Sequence, residues 1–479
     1  MNKFSDFNLS NQILKAIEKL NYENPTSVQD QVIPVILEKM DIIVKSQTGS
    51  GKTAAFAIPI CEMIDWDENK PQALVIEPTR ELAIQVKEEF FNLGRFKRLK
   101  VPAVYGKTPI QPQEQELKQK SHVVVGTPGR LIDHLEHGTL DTLKISYLVI
   151  DEADEMLNMG FIDDIETIIS YLPADRVTIL LSATMPKDIE SLCNEYMIDP
   201  IHLVIEDEEP ATIRISQEKY EVEVKEKLNL LRDITIIENP DSCIIFCNTK
   251  NKVDEIHLFL LSLKYSCQKI HGGMQQRDRL RIMDNFKHGY FRYLIATDVA
   301  SRGIDIDNIS LIINFDIPRE SASYVHRIGR TGRKGKAGKA ISLVSQFEIQ
   351  LMNDIEAYLE KTIDLKTWPD QNTVKQFKEK FDEKINTRPE RKETKGASLN
   401  EGIIKLHINA GKKTKMRPAD IVGTLCNIEG MTFEDIGIIN VQDISTFVEI
   451  LNNKGELVYQ ELQKRNIKGR PRKVSKVIF

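Results

Sequence analysis

Two short apolar runs constrain this chain more than any other feature. Ile42-Ile43-Val44-Lys45 leads straight into Ser46-Gln47-Thr48-Gly49-Ser50-Gly51-Lys52-Thr53, and Tyr147-Leu148-Val149-Ile150 delivers Asp151-Glu152-Ala153-Asp154 at its end. Runs apolar on both faces are strands of a covered parallel sheet, and such a sheet takes its ligand at the carboxyl ends of its strands. The first polar cluster has the make-up of a phosphate loop. Its glycines let backbone N–H groups close round phosphates, Lys52 reaches the outer ones, and the Thr53 hydroxyl can ligate Mg²⁺. Ser46 stands where the strict pattern has glycine. The second cluster sets acidic side chains where a nucleotide-bound metal is held. Either string alone occurs by chance; the two together, each closing a strand in this order, predict an ATP site.

At 479 residues the chain is long enough for about three domains, and its 41% hydrophobic and 28% charged residues match an ordinary globular protein. No apolar run reaches the roughly 18 residues of a membrane span, and the first residues are polar rather than a signal peptide. The expectations are a cytoplasmic location and no membrane partner. Six scattered cysteines lack metal-type spacing and read as reduced core thiols. A net charge of −6 does not advertise nucleic-acid binding, but its distribution does: from Gly402 onward there are 13 Lys and Arg against 8 Asp and Glu. A basic module on an acidic engine reads as a targeting domain.

Along the chain, Phe4 precedes an amphipathic helix (Ile13, Leu14, Ile17, Leu20), and Pro25 is suited to starting another, with Gln29 one turn on. Leu74 to Glu77 is a strand ending in Pro78-Thr79-Arg80-Glu81-Leu82-Ala83, and Val123 to Val125 another ending in Gly126-Thr127-Pro128-Gly129-Arg130. Small, hydroxyl-bearing and Arg residues at strand-to-helix junctions suit the backbone phosphates of a polymer. Thr178 to Leu181 leads to Ser182-Ala183-Thr184, Ile201 to Ile205 closes the sheet, and the acidic Glu206 to Pro210 reads as a linker. A second α/β unit from about Ser216 has strands at Cys243 to Cys247, Tyr293 to Ala296 and Leu311 to Ile313, without a phosphate loop of its own. Its junctions carry Gly272, Gln276 to Arg279, Thr297, Ser301 to Asp305 and His326-Arg327-Ile328-Gly329-Arg330-Thr331-Gly332-Arg333. Arginines spaced by three among glycines are not expected to pack as core; they suit a supply of positive charge to a transferring phosphoryl group. Lys366 to Gly396 reads as an exposed helix and tether, and the remainder as a βαββαβ unit of the RNA-recognition type.

In order and spacing these motifs resemble the DEAD-box ATP-dependent RNA helicases over residues 1–365, and the whole layout resembles the bacterial DbpA/YxiN group within them. The resemblance implies an α/β fold. It implies two RecA-like parallel-sheet domains in tandem (1–207 and 208–365), followed by a charged linker (366–401) and a small C-terminal α+β RNA-recognition (RRM-like) domain (402–479). It implies ATP and Mg²⁺ as cofactors. Tyr22, Gln29 and the supporting Phe4 would hold adenine; Ser46, Gln47, Thr48, Gly49, Ser50, Gly51, Lys52 and Thr53 the phosphates; Thr53 and Asp151 the metal; Asp305 the ribose. Glu152 would activate water, Ser182 and Thr184 would couple the site to closure, Arg330 and Arg333 would be arginine fingers, and His326 would bridge to the acidic motif. Pro78, Thr79, Arg80, Thr127, Gly129, Arg130, Gly272 and Thr297 would line the RNA track.

The chain departs from that pattern at Gly106-Lys107, where many members have two glycines, and at Ser445, where the common RNA-recognition pattern has an aromatic. His407 and Phe447 remain for base stacking, and Lys412, Lys413, Lys415 and Arg417 with Lys468, Arg470, Arg472 and Lys473 offer another surface. The implied partner is RNA, with 23S ribosomal RNA or a pre-50S particle the expected target and a monomeric chain the working form. A general mRNA-remodelling or decay helicase and an ATP-gated RNA clamp stay open. A DNA-directed enzyme is disfavoured because the track suits backbone and 2′-OH contacts.

Overall fold

The computed structural model describes residues 2–46, 49–205, 215–298, 309–332, 338–385, 387, 389 and 397–477. Its first sheet has seven strands: β1 (Ile42–Lys45), β2 (Ala73–Ile76), β3 (Ala103–Val104), β4 (Val123–Gly126), β5 (Tyr147–Ile150), β6 (Val177–Ser182) and β7 (Ile201–Val204). They lie in the order β3-β4-β2-β5-β6-β1-β7, every pair parallel. Every residue of β2, β4, β5 and β6 is buried, because helices cover both faces. Helix Lys52–Met63 is apolar almost all round and is enclosed between this sheet and helix Ser27–Leu37. Phe56 at its middle is fully out of solvent, so truncating it to Ala would cost about 3–5 kcal/mol.

Register brings the motifs together. Lys45 lies beside Ser182, Ile150 beside Leu180, and Ile76 beside Ile150, so four strand ends open on one edge. The helix expected to begin at Pro25 begins at Ser27 instead. Thr26 is its N-cap, and reciprocal bonds between Thr26 and Gln29, at 3.0 and 3.4 Å, satisfy end N–H groups that Pro25 could not.

The second sheet contains β8 (Ile215–Glu221), β9 (Cys243–Cys247), β10 (Cys267–Ile270), β11 (Tyr293–Thr297), β12 (Leu311–Asn314), β13 (Gly338–Val344) and β14 (Asp364–Lys366). Its order, β10-β11-β9-β12-β13-β8-β14, repeats the first sheet strand for strand. Helix Gln371–Ile385, expected to be exposed, packs Val374 and Phe381 into this lobe's core. Arg327 also overturns an expectation: it is a core residue. Its guanidinium is satisfied by Asp298 at 2.5 and 2.6 Å, Asn248 at 3.0 Å, Asn314 at 3.3 Å and the Asp316 carbonyl at 2.7 Å, which is what burying five N–H donors requires.

The last sheet is antiparallel: β15 (Ile404–Ile408), β16 (Ile436–Val441), β17 (Thr446–Ile450) and β18 (Val474–Val477), ordered β16-β17-β15-β18 and backed by helices Pro418–Cys426 and Gly455–Leu462. It rests on the first lobe. Arg95 pairs with Glu449 at 3.4 Å and Asn400 at 2.8 Å, Arg98 donates to the Phe433 carbonyl at 2.7 Å and lies over its ring, and Leu399 enters the first lobe's core. Five cysteines are buried as expected; Cys426 is exposed.

Candidate active site

The phosphate loop follows β1, with Gly49 at φ +87° and Gly51 at φ +94°, a backbone that side chains resist. A Cβ on Gly51 would meet the Gln29 amide nitrogen at 2.7 Å; that amide donates to the Gly51 carbonyl at 3.2 Å, tying helix Ser27–Leu37 to the loop. Lys52 Nζ donates to the Ser46 carbonyl at 2.9 Å, and the Ser46 and Ser50 hydroxyls meet at 2.8 Å. Gln47 and Thr48 lie outside the described residues, as do Asp305, Arg333 and the expected linker 206–210. Tyr22 stacks on Phe4, centroids 6.4 Å apart, with its hydroxyl on Glu89.

At the end of β5, Asp151 is buried and accepts from the Glu152 N–H at 2.9 Å. Glu152 takes φ +50°, an uncommon conformation that turns its side chain at the strand end. Burial pushes the Asp151 carboxyl up to about 6; Lys52 opposes the shift and Glu152 adds to it. Asp154 faces the Ser182-Ala183-Thr184 segment: it accepts from the Thr184 N–H and hydroxyl, both at 3.0 Å, while Ser182 donates to the Thr184 carbonyl at 2.6 Å. Thr53 is the second residue of helix Lys52–Met63, and hard oxygen donors of this kind fit Mg²⁺.

The second lobe closes on this edge. His326 meets Glu155 at 2.5 Å, one residue beyond the acidic string it was expected to reach. Glu81 accepts from Arg279 at 2.9 Å and from Gln276 at 3.0 Å, and Gln276 accepts from Arg80 at 3.0 Å. Arg330 lies two residues beyond helix Ser321–Ile328, which carries His326.

Beside the cleft, Thr79 caps helix Arg80–Leu93 and Thr127 precedes helix Pro128–Glu136. Pro78 is buried and Arg130 is held by Asp133 at 3.0 Å and the Thr108 carbonyl at 3.1 Å. Gly129 and Gly272 have open space where a Cβ would stand, and Thr297 ends β11. On the C-terminal module, His407 lies 5.0 Å from Phe447 and bonds Ser445 at 2.9 Å. Lys412, Lys413, Arg417 and Arg470 are exposed and Arg472 half-buried. Lys468 joins their two segments, donating to the Lys415 carbonyl and pairing with Asp420 at 2.7 Å.

Sequence reasoning gave no role to Glu77, Glu81, Glu155 and Arg95, and named Arg279 only within a basic junction. Glu77 had a visible signal, an acid closing an apolar strand beside a Pro-Thr-Arg turn. It is wholly buried, and both its oxygens lack a hydrogen-bond partner among the described residues. Burial, then Asp151 and Glu152, raise its carboxyl well above the ordinary range.

Twin seven-stranded lobes, a phosphate loop and an Asp-Glu-Ala-Asp edge closed by a basic segment define a DEAD-box ATP-dependent RNA helicase, and the chain belongs to that family. Residues 26–192 match the DEAD/DEAH box helicase family, 226–335 the helicase conserved C-terminal domain and 405–476 the DbpA RNA binding domain. The chain is 53% identical to the ATP-dependent RNA helicase DbpA of Bacillus subtilis over 99% of both proteins, which makes it a DbpA-type helicase. It is 44% identical to the Bacillus subtilis helicase CshA over 75% of this chain and 73% of that protein. The structure of S. cerevisiae Dbp5 bound to RNA and ADP BeF3 superposes with a TM-score of 0.72 and 29% identity, covering 80% of this chain and all of that one.

Proposed function

We propose that this helicase opens or remodels short duplexes in ribosomal RNA, in 23S rRNA during assembly of the large subunit, with the C-terminal module choosing the site. The match of residues 405–476 to the DbpA RNA binding domain carries this reading, supported by the basic surface that Lys468 assembles from two distant segments.

In this reading Tyr22 and Gln29 hold adenine, Lys52 and the loop N–H groups hold the phosphates, and Thr53 and Asp151 hold Mg²⁺, which supplies positive charge to the phosphate oxygens. Glu152 takes the proton of the attacking water and Arg330 neutralises charge on the transferring phosphoryl group. Asp305 and Arg333 take the ribose and second-finger roles. RNA lies over Pro78, Thr79, Arg80, Thr127, Gly129 and Arg130, and across Gly272 and Thr297. The open space at Gly129, at the N-terminus of helix Pro128–Glu136, lets a phosphate approach backbone N–H donors. Closure on that strand bends it, and a short duplex does not survive the bend.

The test is ATPase stimulation by total ribosomal RNA against an unrelated transcript, at one stated salt concentration because phosphate contacts make affinity salt-dependent. Stronger stimulation by ribosomal RNA, lost on deleting residues from Gly402 onward, is expected. Equal stimulation by both RNAs would instead favour a general mRNA-remodelling helicase.

A further inference from the structure

Glu77 has no place in the machinery described so far. It follows Ile76 as Asp151 follows Ile150, and because Ile76 and Ile150 are register partners in adjacent parallel strands, the two carboxylates leave the sheet at the same level. Its electrostatic neighbours are Asp151, Glu152 and Lys52. A side chain from the next strand thus reaches the heart of the nucleotide edge, fully enclosed. A carboxyl whose two buried oxygens find no partner among the described residues is not maintained by packing, since Leu or Gln would fill the same volume at less cost. Two bare acceptors beside a metal-holding aspartate fit the water molecules of a hydrated dication, because Mg²⁺ keeps several of its waters and each is a polarised donor.

We propose that Glu77 is an outer-sphere positioning residue of the Mg²⁺–nucleotide site, accepting hydrogen bonds from water on the metal that Asp151, at the end of the neighbouring strand, and Thr53, in the first turn of helix Lys52–Met63, would hold. This rests on the metal–nucleotide reading of the edge. It adds a third carboxylate to Asp151 and Glu152, contributed from the strand that feeds the proposed RNA track. Glu77 is followed directly by Pro78 and Thr79, so the metal's hydration shell and the track share one short stretch of backbone.

The experiment titrates a fluorescent adenine nucleotide into the full chain at rising Mg²⁺ and again in chelator, for wild type, Glu77→Gln and Glu77→Leu. Gln keeps one acceptor oxygen and Leu none. The Mg²⁺ needed for half-maximal tight binding should rise about tenfold or more, Leu above Gln, in the range found when outer-shell partners of metals are removed. Chelator affinity should stay unchanged, and thermal stability without nucleotide should hold or rise as the orphaned carboxyl is removed. A purely structural role would lower stability and leave the Mg²⁺ requirement alone; that result overturns the proposal. If wild-type binding itself ignores Mg²⁺, the metal reading of the edge fails and the proposal falls with it. If wild type responds to Mg²⁺ and both variants match it, the Glu77 assignment alone fails.

Discussion

Arg95 of the first lobe and Glu449 on β17 of the C-terminal sheet form an ion pair 3.4 Å long, with only 3% and 5% of their side chains in solvent. Burial lowers the Arg95 guanidinium and raises the Glu449 carboxyl against their mutual attraction, so the pair contributes specificity of docking more than net stability. Glu449 shares its sheet with His407 and Phe447, so the face that would ordinarily stack bases is turned partly toward the first lobe.

Reversing one partner leaves a buried like-charge pair, a loss of about 3–5 kcal/mol that a docked module does not tolerate. Arg95→Glu and Glu449→Arg should each release the module, read as a longer distance between fluorophores on it and on the first lobe. The double reversal should restore the short distance. Single variants with the wild-type distance would show that the pair does not hold the module.

Arg330→Ala should lower ATP turnover by about 10³ to 10⁵, the range for losing an arginine finger, while nucleotide affinity stays within a small factor. RNA-stimulated ATPase together with nucleotide titration checks both parts; unimpaired turnover would remove Arg330 from the mechanism.

Glu152→Gln should bind ATP and RNA normally and fail to hydrolyse, because the amide cannot accept the proton of the attacking water. Phosphate release in steady state is the measurement, and a normal rate would reassign the base.

His122 is wholly buried, its Nδ1 accepting from the Lys100 N–H at 2.8 Å and its Nε2 lying 3.2 Å from the Trp66 carbonyl, an arrangement that suits neutral imidazole. Burial, with Lys120, Lys100 and Lys97 nearby, lowers it from 6.5 to about 4, against a raising bond from Trp66. The unfolded chain therefore takes the proton first. The contribution to stability is complete above pH 6.5 and is lost as the pH falls through about 4, a change of about 3 kcal/mol. Urea unfolding of wild type and His122→Gln across that range should show the increment in wild type alone; parallel losses would contradict it.

Much of the architecture was legible because it is written locally. Apolar runs announced β1, β5 and β9 at their observed bounds. Arg327 was misread because its neighbours Arg330 and Arg333 set the expectation for all three. Only a tertiary cage of Asp298, Asn248, Asn314 and Asp316 turns a guanidinium into core. Helix Gln371–Ile385 is exposed along most of its length, as expected; its core contacts through Val374 and Phe381 were not legible because two apolar residues among many charges leave little periodic signal.

The order of residues alone established the two strand-end motifs, the twin-lobe plan and the appended basic module, since strand burial and phosphate-loop chemistry depend on neighbours a few positions apart. Folding decided the rest: that Glu81 meets Arg279, that Arg95 meets Glu449, and that Glu77 arrives beside Asp151. Those pairings join segments whose separation along the chain carries no periodic trace, and they arise only when sheet register and lobe packing bring them into reach.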